Sequence, residues 1–148
     1  MKPKTLITLR NESFFNTCKE VTRSISCDMT SKEVVEIALG RSGVDYYVDY
    51  DLARKHVGRI LRHGALWKYV KVREGIWHEI AFRVSRLMKH YPCLSQDDAL
   101  SRVLADGKAS RYFIGVSSAR RIYQRMLKAE RDSRAEMNRH CVESEKRA

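Results

Sequence analysis

Apolar residues recur along most of the chain at intervals of three and four, the spacing that gathers side chains on one face of an α-helix. The stretch GIWHEIAFRVSRLMKHYP, residues 75–92, shows this spacing most fully, and Pro92 ends it. Only two prolines and seven glycines interrupt the 148 residues, so long helices can form. The pattern predicts a single compact all-α domain over residues 1–148, with about six helices of which this apolar helix is the central one.

Capping signals place the ends of the other helices. Thr30 and Glu33 have the TxxE spacing of a capping box, and Ser95 begins a similar SxxD pattern. Glycines follow several apolar runs, as is typical of helix C-termini. The remaining predicted helices run from about Asn11 to Cys27, from Thr30 to Gly40 or Gly43, from about Leu52 to His63 before Gly64, from Ser95 to Gly107, and from Ser117 past Ala129. Three of the predicted N-caps are Asn11, Asp51 and Ser117.

The segment RDSRAEMNRHCVESEKRA, residues 131–148, has few apolar positions at helical spacing. It therefore lacks a face that would pack on a core. We expect it to be either a solvated extension of the last helix or a frayed tail.

The chain also contains an internal repeat, because residues 30–62 align without a gap onto residues 96–128. The identical pairs are Tyr46 with Tyr112, Ala53 with Ala119, Arg54 with Arg120, Arg59 with Arg125, and Leu61 with Leu127. YYV in the first copy corresponds to YFI in the second, and such aromatic and β-branched runs predict a short extended link between two helices. Chance similarity between two amphipathic helix pairs is the alternative.

Positive charge exceeds negative charge, with 29 Lys and Arg against 18 acidic residues and a formal net charge of +11. This excess favours polyanionic partners such as nucleic acid. No apolar run reaches the length of a membrane span or a secretory signal, so we expect a cytoplasmic protein without membrane contact. The four cysteines show no CxxC spacing and are expected to be small buried hydrophobes rather than disulfides.

The second helix of each copy carries a cationic stripe opposite its apolar face. The stripe residues, which are the predicted nucleic-acid-binding site, are Arg54, Lys55, Arg59 and Arg62 in the first copy and Arg120, Arg121, Arg125 and Lys128 in the second. Phosphates along a nucleic-acid backbone would neutralise such a stripe and release counterions. The planar fork of arginine suits phosphate and guanine edges. A solvated basic face is the alternative reading of each stripe.

These stripes predict a small non-enzymatic nucleic-acid-binding protein with a regulatory or accessory role, and DNA is favoured over RNA as the partner. The alternative is a helical protein-protein interaction module or assembly component whose basic surface contacts an acidic protein. The sequence leaves the oligomeric state open. A conventional helix-turn-helix does not fit, because the nine residues between Gly107 and Ser117 make too long a turn.

Catalytic and metal motifs are incomplete. HEIAF begins like a zinc-protease HExxH motif, but Phe82 stands where the second histidine is required. His90 and Cys93 lack a second ligand pair nearby, and GVSSA lacks the preceding strand of a nucleophile elbow. We therefore predict no catalytic residues, no metal site and no cofactor.

Overall fold

The computed structural model of the chain describes residues 3–24, 28–64 and 71–147, and all regular structure in these ranges is helical. The helices of these ranges are α1 (Leu6–Ser24), α2 (Ser31–Leu39), α3 (Tyr50–His63), α4 (Gly75–His90), α5 (Gln96–Asp106) and α6 (Val116–Arg147). A short 3-10 turn, Val72–Glu74, precedes α4. The prediction of an all-α fold is confirmed.

Side-chain caps begin α2 and α5 where the sequence places them. Thr30 Oγ1 accepts a hydrogen bond from the Glu33 N–H at 3.2 Å, and the Glu33 carboxylate accepts one from the Thr30 N–H at 3.4 Å. Ser95 Oγ accepts from the Asp98 N–H at 3.2 Å. These bonds satisfy N–H groups that lack a partner within the helix.

Three other predicted caps are wrong. Helix α1 begins before Asn11, because Thr5 Oγ1 accepts from the Thr8 N–H at 3.1 Å and starts the helix earlier. Helix α3 begins at Tyr50, because Asp49 rather than Asp51 accepts from the Leu52 N–H at 3.2 Å. Helix α6 begins at Val116, which puts Ser117 in its first turn. The predicted end of α1 at Cys27 lies outside the described residues.

The buried apolar side chains form two clusters. The first joins α1, α2 and α6, and its largest side chains include Phe14, Phe15 and Tyr123. The second joins α3, α4 and α5 around Ile80 and Leu100. The predicted central helix is α4, which packs against α3 and α5, whereas α1 takes the corresponding place in the first cluster. The core is divided because α1 has an apolar stripe of its own.

Two links connect the clusters: residues 40–49 after α2 and residues 107–115 after α5. They meet in one antiparallel bridge, in which the Gly43 N–H donates to the Ala109 carbonyl oxygen at 2.9 Å and the Ala109 N–H to that of Val44 at 2.6 Å. Tyr46 from the first link is buried in the second cluster, and Tyr112 from the second link is buried in the first. The first link thus leaves α2 in the first cluster and buries its tyrosine in the second cluster. The second link leaves α5 in the second cluster and buries its tyrosine in the first.

Both aligned segments have the order helix, link, helix, and α3 and α6 begin at equivalent positions of the alignment. The same offset that relates the two copies also relates buried residues of α1 to buried residues of α4. It pairs Phe14 with Ile80 and Cys18 with Val84. The internal repeat stays a prediction, and these positions extend it to α1 and α4.

Helix α6 is 32 residues long, and every described side chain from residue 131 onwards is exposed. Just before this segment, the Glu130 carboxylate lies 2.9 Å from Lys19 Nζ on α1 and so contacts the helical body. The segment after Glu130 is therefore a solvated helix rather than a frayed tail. Among the described helices, none combines the length and the apolar character needed to cross a membrane.

Candidate nucleic-acid interface

Helix α3 carries the first cationic stripe. Its apolar side buries Ala53 and Val57 against α4 and α5. The opposite side leaves the four predicted site residues exposed: Arg54, Lys55, Arg59 and Arg62. The local reason is the helical period, because residues three and four positions apart return to the same face.

Several cations of the α3 stripe have partners within the protein. Arg54 Nε donates to Asp97 Oδ1 on α5 at 3.1 Å, although both side chains are more than half exposed, at 60% and 51%. Arg59 shares a hydrogen bond with His56 Nδ1 at 3.1 Å, and Arg62 Nε donates to the Gly58 carbonyl oxygen at 3.2 Å. Only the Arg54 contact offsets a charge, and a pair this exposed contributes little to stability.

A groove of about 710 Å³ runs beside the α3 stripe. Arg54, Lys55 and Arg62 form one wall, and the start of α5 at Ser95 and Gln96 forms the other. Backbone N–H groups at a helix N-terminus attract anions, as do arginine and lysine side chains. Asp51 and Asp97 also line the groove, and they weaken its positive potential.

Helix α6 carries the second stripe. Ala119, Ile122 and Tyr123 are buried against α1 and α2. The four predicted site residues on the other side are all exposed: Arg120, Arg121, Arg125 and Lys128. None of these four forms an ion pair in the ranges that the structure describes. The nearest acid along the helix, Glu130, is already paired with Lys19 and Arg134.

The two stripes lie on separate parts of the molecule. Helix α3 belongs to the second cluster and α6 to the first, and the two helices do not pack against each other within the described ranges. The structure thus brings the residues of each stripe together but does not join the stripes into one contact surface.

Other cations and aromatic residues near these faces differ in availability. Tyr112 is only 2% exposed, so its ring cannot stack on a nucleic-acid base. Phe82 on α4 is 60% exposed, and the Arg86 guanidinium lies over its ring at 5.9 Å. Stacking between an exposed ring and an arginine is a pattern used in binding single strands. Trp67, another aromatic residue near basic positions of the sequence, lies outside the described residues.

The described ranges offer few candidates for metal binding or nucleophilic catalysis. They contain no group of three His, Cys, Asp or Glu residues that could hold a metal ion. Cys18 is fully buried, and burial raises the pKa of its thiol to about 12, so it is a poor nucleophile. Cys93 and Cys141 are exposed, contrary to the expectation that the cysteines are buried, and all three thiols are free.

No family model, curated protein or solved structure matches this chain. The inference of function therefore rests on the charge and geometry of the two stripes.

Proposed function

We propose that this chain is a small, non-enzymatic, cytoplasmic nucleic-acid-binding protein with a regulatory or accessory role, and that DNA is its preferred partner. The exposed face of α6 is the principal contact surface. One observation carries the proposal: Arg120, Arg121, Arg125 and Lys128 are exposed together and form no ion pair with a described carboxylate.

Holding like charges together on one face of α6 costs free energy. Cations three or four residues apart on a helix repel one another. Asp132 lies one turn after Lys128 but forms no ion pair with it in the described ranges, so pairing does not relieve the repulsion. Binding to a phosphate backbone replaces the repulsion with attraction and releases the counterions condensed on the nucleic acid. Three of the four cations are arginines, whose planar fork can hold two phosphate oxygens at once.

The α3 stripe has a secondary role in this proposal. Asp97 neutralises part of its charge through Arg54, and Asp51 adds a second carboxylate to the neighbouring groove. A phosphate approaching this face must therefore compete with the carboxylate that holds Arg54, whereas the four α6 cations have no ion pair to be displaced in the described ranges.

Cytoplasmic location is part of the same proposal. Cys93 and Cys141 are exposed free thiols, and such thiols persist best in a reducing compartment.

The second candidate function is a protein-protein interaction module. The observation that favours it is the solvated part of α6 after Glu130, where Met137 is 65% exposed and Val142 is 49% exposed. An acidic protein with an apolar strip could pack along this helix and also contact its arginines.

Salt-dependent binding distinguishes the two candidates. Fluorescence anisotropy of the full chain with random duplex DNA, single-stranded DNA and RNA is measured at several salt concentrations. Phosphate contact predicts that log affinity for duplex falls linearly with log salt, with a slope of about 0.9 per phosphate neutralised. Absence of saturable binding to any of the three at low salt would contradict the proposal and favour the interaction module.

A further inference from the structure

A cleft of about 410 Å³ lies beside the first link, between the start of α1 and the start of α4. Its apolar lining includes Leu6, Ile7, Leu52, Ile76 and Phe113. The first three of these side chains are 40%, 63% and 47% exposed, so they present apolar surface to solvent. A volume between about 300 and 1,000 Å³ is typical of small-molecule sites.

Three arginines line the same cleft: Arg10 on α1, Arg73 in the 3-10 turn and Arg111 in the second link. None of them forms an ion pair in the described part of the chain. Arg10 Nη2 and Nε donate to Asn11 Oδ1 at 3.1 and 3.2 Å, and this amide oxygen carries no net charge. Arg111 Nε donates to the Tyr112 carbonyl oxygen at 3.3 Å, and its guanidinium lies over the Phe113 ring.

The carboxylates in the lining already have other partners. Asp45 is paired with Lys108. Asp49 caps α3 by accepting from the Leu52 N–H. Asp49 is thus the one lining carboxylate without a cationic partner in the described ranges, and three guanidinium groups against it leave the cleft with an excess of positive charge.

Two further features of the cleft favour an anionic ligand. Burial of the Arg10 guanidinium lowers its pKa, because a cation removed from water without an anion is disfavoured. Tyr47, which also lines the cleft, has a φ of 51°, a left-handed backbone conformation that is uncommon for a bulky residue. Backbone strain of this kind collects at ligand sites.

We propose that this cleft binds a small amphiphilic anion, a carboxylate or phosphate monoester carried on a flat aromatic or aliphatic body. The guanidinium groups hold the anionic head, and the apolar lining covers the body. The cleft is independent of the nucleic-acid site, because none of the eight stripe residues lines it.

Calorimetric titration of the full chain tests the site with three probes: 1-naphthoate, 1-naphthyl phosphate and the neutral 1-naphthalenemethanol. We expect saturable binding of at least one anion, about tenfold or more tighter than the neutral compound, because hydrogen bonds to charged groups are strong. The tighter of the two anions identifies the head group.

Paired variants locate the site. Arg10→Met with Arg111→Met should abolish the preference for the anion, whereas Arg120→Met with Arg121→Met, which removes the same charge from α6, should preserve it. Ile7→Trp places a large ring at an exposed position of the lining and should block all three probes without disturbing the core. Binding without preference for the anion, equal loss in both double variants, or unaltered binding to Ile7→Trp would overturn the proposal. Duplex affinity measured with saturating probe should stay unchanged.

Discussion

Arg54 Nε lies 3.1 Å from Asp97 Oδ1, and this contact makes the two basic faces unequal. On α3 the first cation of the stripe is held by a carboxylate from α5. On α6 the equivalent residue of the aligned segment, Arg120, is exposed and has no such partner in the described ranges. The two faces therefore differ in the charge that they can offer to phosphates, although their sequences match at this position.

Reversing charge on α6 should abolish binding to duplex DNA. The variant is Arg120→Glu, Arg121→Glu and Arg125→Glu, and these exposed positions should tolerate it without unfolding. The matched control is Arg131→Glu, Arg139→Glu and Lys146→Glu, which changes the net charge equally on the solvated part of the same helix. Anisotropy titrations measure both, and circular dichroism checks the fold. Equal loss in the two variants would show that net charge, not the α6 face, controls binding.

Removing Asp97 should strengthen duplex binding by freeing Arg54. If the freed arginine contacts one more phosphate, log affinity falls more steeply with log salt, and the magnitude of the slope increases by about 0.9. Because the ion pair is exposed, the free energy of unfolding should change by about 1 kcal/mol or less. Asp98→Ala is the control, since Asp98 is in the same first turn of α5 but forms no ion pair in the described chain. A slope that is the same for Asp97→Ala and wild type would mean that the α3 face does not contact phosphate.

Replacing Tyr112 with Phe should destabilise the fold. The Tyr112 hydroxyl lies 2.6 Å from Ser13 Oγ and 2.9 Å from Thr17 Oγ1, and it ties the second link to α1. Loss of these bonds leaves partly buried hydroxyls without their partner, which costs about 1–3 kcal/mol. Urea unfolding measures the change. Tyr123→Phe is the control, because Tyr123 is also buried and its hydroxyl forms no hydrogen bond with a described side chain. An equal effect of both substitutions would contradict the role assigned to the Tyr112 bonds.

Stability should decrease as the pH falls below about 6.5, with a contribution from His56. Its ring stacks on Trp77 at a centroid distance of 4.4 Å. Burial, assisted by Arg59 and partly opposed by Glu74, lowers the pKa of His56 in the folded state. The unfolded chain therefore binds a proton on His56 more readily than the folded chain does, so protonation favours unfolding. The stability that neutral His56 contributes is fully present above its pKa in the unfolded chain. It is lost as the pH falls towards the lower pKa of the folded state.

Urea unfolding at a series of pH values measures this effect. His56→Phe keeps a ring against Trp77 but cannot titrate, so its stability should depend less on pH than that of the wild type. His63→Phe changes an exposed histidine at the end of the same helix and should leave the wild-type dependence in place. A His56→Phe profile parallel to that of the wild type would refute the assignment.

Signals that act over a few residues could be read from the sequence. The Thr30 and Ser95 caps were predictable because each joins atoms three residues apart. The start of α3 was not predictable in this way, because Asp49 and Asp51 are equally suitable N-caps. A contact with a distant segment favours Asp49. Tyr50 packs in the second cluster, and its hydroxyl donates to the Asp97 carbonyl oxygen at 3.4 Å.

The same limit applies to the candidate site. Helical period alone placed all eight stripe residues on exposed faces. The Arg54 contact with Asp97 joins residues 43 positions apart, and no local pattern announces it. The cluster that each helix joins, and hence the separation of the two stripes, also depends on contacts between distant segments.

The order of the helices within the clusters has a consequence for synthesis. Helices α3, α4 and α5 follow one another and can associate as soon as they leave the ribosome, whereas α1 and α2 can pack on each other but complete their cluster only when α6 is added. During that interval the apolar stripe around Phe14 has no cover from α6. The arginine-rich side of α6 reaches its place beside α1 and α2 only when that helix docks, so the proposed contact surface is the last part of the fold to be assembled.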